Sequence, residues 1–158
     1  MINEFSAKKL GEVLAFSDVG LDTYKRGEKA LTELFGTEEF SKIKSEVESH
    51  KESIKSIAER EGVIEVVLKK LESTGKKLRE MRDLYIGEEW SNPTELLEWS
   101  GFFEGAAMVH WALVDGVAKT TNNSDLQSLS KKALDFHKEL LYKAHQYLYK
   151  VGTQKSKD

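Results

Sequence analysis

The sequence predicts an all-α fold, an antiparallel four-helix bundle of two helical hairpins with a short crossover helix between them. Three observations predict it. Apolar residues recur at the helical period along nearly the whole chain, and no stretch alternates as a strand would. Of 24 basic residues 20 are Lys, and of 27 acidic residues 20 are Glu, both good helix formers. One Pro in 158 residues leaves few helix breaks. The breaks fall at Gly36-Thr37, at Gly75, and in the runs 87–93 and 120–124. Residues 1–151 then form a single domain, and 152–158 a polar, frayed tail.

The first long helix is expected over 6–35. Leu10, Val13, Leu14, Ser17, Leu21, Tyr24 and Leu31 share its inner face. Asp18, Asp22, Lys25, Arg26 and Lys29 fall on the other side and read as a solvated face with an Asp22–Arg26 pair. The second starts at Thr37, an N-cap followed by Glu38 and Glu39, which suit the positive end of the helix dipole. Its stripe is Phe40, Ile43, Val47, His50, Ile54 and Ile57. It runs to about residue 73 with a kink near Gly62. Residues 76–86 form the crossover helix.

The third long helix has the clearest start, with Asn92 as cap and Pro93 at the first helical position, and ends near Lys119. The last runs from Ser124 to about Val151, with Leu126, Leu129, Ala133, His137, Leu140 and Ala144 inward. Short connections within each pair make two antiparallel hairpins.

The helix over 93–119 is apolar nearly all round, which a surface helix avoids. One side carries Gly101, Gly105, Ala112 and Gly116; the opposite side carries Trp99, Phe103, His110, Val114 and Val117. Four helices rarely cover every side of one member. A homodimer or a partner protein is therefore the expected occupant of the remaining side. Glu104 and Asp115 are three turns apart and lie beside the strip of small residues. They are the candidate ligand-binding carboxylates.

His50, His110 and His137 lie on the apolar faces of three different helices. If the last hairpin turns at 121–124, His110 and His137 stand at nearly one level, and His50 is near the middle of the first hairpin. Three core-facing imidazoles at mid-height are the candidate ligands of a metal ion, with Glu46 or Glu104 beside them. His145 sits at the edge of its stripe.

Other chemistries are excluded or lack their motifs. Without Cys there is no disulfide, thiol catalyst, Cys-bound zinc or iron–sulfur cluster. A net charge of −3 argues against nucleic acid and anionic membranes as partners. The residues three before each His are Val47, Ala107, Leu134 and Tyr142, so the Glu-x-x-His of di-iron bundles is missing. So are a His-x-x-x-His zinc pattern, a P-loop and Gly-x-Ser-x-Gly. The most apolar stretch, 99–118, carries Glu104, His110, Asp115 and three glycines, so it reads as a buried helix rather than a membrane span. No basic region followed by an apolar core opens the chain, and the cytosol is the expected compartment.

In layout, length and Lys/Glu-rich composition, itself a thermophile habit, the chain resembles a small archaeal family of unknown function. Its members form four-helix bundles grouped with the cobalamin adenosyltransferases. The resemblance implies that bundle, with short helices between the second and third long ones. It implies no adenosyltransferase activity, because residues 1–10 lack the Thr-rich nucleotide loop. The expected function is binding rather than catalysis, through self-association or a partner protein. The alternative is metal or small-ligand binding at the bundle centre.

Overall fold

The computed structural model describes residues 1–157. Among them are six helices and no strand: α1 (Glu4–Arg26), α2 (Glu28–Phe35), α3 (Thr37–Arg60), α4 (Ile64–Ile86), α5 (Pro93–Thr121) and α6 (Ser124–Lys155). The all-α fold is as the sequence predicts. No helix among the described residues is long and apolar enough to cross a membrane.

The starts of three helices follow local chemistry. Side chains of Asn3, Asn92 and Asn123 accept from the backbone N–H groups of Ser6, Thr94 and Leu126 at 2.9, 3.1 and 3.0 Å. Each satisfies one of the orphan donors of a helix N-terminus. Asn122 closes α5 in the left-handed region at φ 53°.

Four predicted boundaries are corrected. The first helix divides at Gly27 into α1 and α2. The second ends at Arg60 instead of continuing to 73, and Gly62, whose φ of 72° suits glycine, lies in the turn after it. Gly75 does not end a helix; it lies buried inside α4, with Val19 of α1 beside it. The expected crossover helix is therefore the second half of a 23-residue helix. The last helix also runs on through the expected tail to Lys155, and Asp158 lies outside the described residues.

Helix α4 lies along α1 in the same direction, since Gly11 meets Lys70, Asp18 meets Arg79 and Asp22 meets Arg82. At Gly11 the backbones come so close that an added Cβ would lie 2.5 Å from Lys70 Cβ and 2.6 Å from the Val67 carbonyl oxygen. This packing replaces the Asp22–Arg26 pair expected on α1, while Asp22, Lys25, Arg26 and Lys29 stay exposed as expected and Asp18 is half-buried. Asp22 binds Arg82 at 2.6 Å, and Asp18 binds Arg79 and Lys51 at 2.9 and 3.2 Å. Arg26 turns instead to Asp83 at 3.3 Å. Arg82 is itself buried and also donates to Thr23.

Helices α3 and α5 run antiparallel to α1: Tyr24 meets Phe40 while Asp18 meets Lys51, and Gly20 meets Phe103 while Glu12 lies by His110. Helix α6 folds back along α5, and its other neighbour is α3. One apolar cluster gathers Leu10, Leu14, Ile54, Trp111 and Leu126; a second gathers Phe16, Phe40, Leu96, Trp99 and Phe103. His50 stands beside Trp111 of the first cluster, and Tyr24 beside Phe40 of the second.

Candidate functional site

Two of the three expected imidazoles come together. The rings of His50 on α3 and His137 on α6 are 6.3 Å apart, and both residues are buried. The Nδ1–H of His137 donates to Oε2 of Glu104 on α5, which is buried as well. Glu104 is thus a core residue held by an imidazole. Tyr24 stands near it; burial pushes the Tyr24 phenol well above its ordinary pKa, and the Glu104 charge adds to this.

His110 does not join them. Its Nδ1–H donates to the Ala106 carbonyl at 2.7 Å, and its Nε2 lies 3.8 Å from Glu12 on α1. His110 and His137 face different partners, so the expected three-imidazole metal site is not formed. Among the described residues no group of three or more His, Asp or Glu side chains is arranged to hold a metal ion. Asp115 is separate again. It accepts from Ser130 at 2.9 Å and pairs with Lys119 at 2.8 Å, and these two partners hold its carboxyl below the usual range.

His50 is the anomaly of the core. It is 3% exposed, yet among the described residues neither ring nitrogen has a hydrogen-bond partner. Glu46 Oε1, one turn earlier, is 3.7 Å from Nε2, beyond hydrogen-bond reach. Rings of Phe136 and Trp111 stand edge-on at 5.3 and 6.0 Å. Burial lowers the imidazole pKa to about 4, and the charges of His137 and Lys132 add to this. At neutral pH His50 is therefore uncharged, with one donor and one acceptor unused. It lines a groove of about 1080 Å³ between α3 and α6, whose walls carry Glu46, Ser49, Ser53, Ser128 and Lys132.

The strip of small residues on α5 is open. Among the described residues nothing lies within 4 Å of a Cβ built on Gly101, Gly105 or Gly116. On the same side Phe102, Val109 and Leu113 are 63, 62 and 44% exposed. Tyr85 at the end of α4 packs on Phe102 with ring centroids 5.2 Å apart and widens the patch. The opposite side of α5, with Trp99, Phe103, Val114 and Val117, is buried as the periodicity predicts.

The sequence reading passed over Glu12, a buried carboxylate of α1 near His110, and Arg82 as a buried cation. Neither stands in a recognisable local motif, because both contacts cross between helices. Comparison with protein-family models, curated proteins and solved structures finds no match for this chain.

Proposed function

We propose that the chain acts by binding, with the open face of α5 as its docking surface. One observation carries this reading: Phe102, Val109 and Leu113 stand exposed together on the most apolar helix, beside glycines with empty space above them. Single exposed apolar residues are ordinary, but a contiguous patch marks an interaction site. The net charge of −3 favours a protein partner over a polyanion. The cytosol remains the expected compartment.

The test is a photo-crosslinking residue placed at Val109 in the intact chain in cells, with exposed Lys77 on α4 as the off-face control. The reading expects one adduct of a single mass from position 109 and none from 77. Equal adducts at both positions, or none at 109, would overturn it.

A second reading rests on His50. A buried imidazole with two unused nitrogens, set in the wall of a groove, supports a small polar ligand between α3 and α6. Its test is whether a bound molecule protects His50 in the natively purified protein and is lost with His50→Phe.

We read α1, α3, α6 and α5 as an antiparallel four-helix bundle with α4 packed outside it. The neighbour pairs α1–α3, α3–α6, α5–α6 and α1–α5 support this arrangement. It is also the layout on which the likeness to the archaeal bundles rests.

A further inference from the structure

This step rests on the docking reading of α5 and names its occupant. We infer that the face takes a second copy of this chain, α5 against α5, antiparallel, about a two-fold axis at Val109. The outward positions Glu98, Phe102, Gly105, Val109, Ala112, Gly116 and Lys119 recur in alternating steps of four and three, the seam period of paired helices.

A two-fold axis at Val109 sets each residue opposite the one equally far beyond it. Phe102, seven before, meets the second copy's position seven after, Gly116. Leu113, four after, meets Gly105, four before. Val109 meets its own copy. In each unequal pair a large exposed side chain enters the empty space above a glycine. Charge agrees with size, because Glu98 comes within one residue of the position opposite Lys119.

The parallel alternative sets Phe102 on Phe102, glycine on glycine and Glu98 on Glu98, with crowding, voids and like charges. An unrelated partner would require no mirror pattern of this kind. The glycines also let the two helices approach to the close end of the usual 8–10 Å spacing, roughly, which a row of larger residues would prevent.

The chain has no Cys, so a thiol introduced at one position is the sole thiol. A disulfide needs Cβ atoms roughly 3.5–4.5 Å apart, and among single substitutions on this face only Val109→Cys sits on the axis. Under mild oxidation Val109→Cys should give a covalent dimer at least about tenfold faster than Lys77→Cys. Phe102→Cys alone should not link, and Phe102→Cys mixed with Gly116→Cys should link as a heterodimer. Self-linking of Phe102→Cys would show a parallel pair and overturn the register. A Val109→Cys rate equal to that of Lys77→Cys would overturn the second copy. The docking reading fails separately. If the cellular adduct at 109 has the mass of a different chain, the second copy falls and docking stands; with no adduct there, both fall.

Discussion

Replacing His50 by Phe should stabilise the protein at neutral pH. His50 is 3% exposed and both ring nitrogens lack partners. An unsatisfied buried polar group costs about 1–3 kcal/mol. A phenyl ring keeps the edge-on contacts with Phe136 and Trp111 and removes that cost. Its slightly larger volume offsets part of the gain, so a net of about 1–2 kcal/mol at pH 7.5 is expected. The effect should grow as pH falls. The folded imidazole titrates at about 4 against an ordinary 6.5, so the unfolded chain takes up the proton first. The wild-type protein therefore loses stability as pH drops below 6.5, and this loss levels off below about 4. The contribution totals about 3 kcal/mol at 1.36 kcal/mol per pK unit. Urea denaturation of both proteins at pH 7.5 and 4.5 measures each part. A loss of more than about 1 kcal/mol in His50→Phe at pH 7.5 would refute the reasoning, because it would mean the nitrogens are satisfied. A residue that weakens its own fold is retained for something besides packing, which is what the groove reading requires.

Glycines should respond with opposite signs according to their neighbours. Gly105→Ala and Gly116→Ala, with open space above them, should each add about 0.5–1 kcal/mol, read as a rise of about 2–4 °C in Tm per kcal/mol. This is measured in a Val109→Glu background, where association is blocked. Gly11→Ala should instead cost about 1–3 kcal/mol, since its Cβ would meet Lys70 and the Val67 carbonyl. Glu104→Leu should cost about 1–3 kcal/mol by stranding the His137 Nδ1–H, and the double change with His137→Leu should recover much of it in a denaturation cycle.

Much of this was legible in the sequence, and what was not has a physical cause. The Asn92-Pro93 start of α5 is a local signal, since a cap and its helix lie a few residues apart. The stripe through Phe40, Val47, His50 and Ile54 placed His50 inward correctly. Gly75 misled because a helical glycine that admits α1 looks, in sequence, like one that ends a helix. From that followed the missed length of α4, and with it the missed partners of Asp18 and Asp22, Arg79 and Arg82. Periodicity also carries height but not lateral direction. It set His110 and His137 at one level, yet His137 turns to Glu104 and His110 to Glu12. The open face of α5 was visible because its apolar residues exceed what one bundle can cover.

The association state of the purified chain tests the central claim most directly, by sedimentation velocity of the wild type beside Phe102→Glu. A docking face on α5 filled by a second copy predicts twice the chain mass for the wild type. It predicts a monomer with unchanged helical circular dichroism for Phe102→Glu. A wild type that stays monomeric as its concentration is raised, or a Phe102→Glu variant that still dimerises, would contradict it.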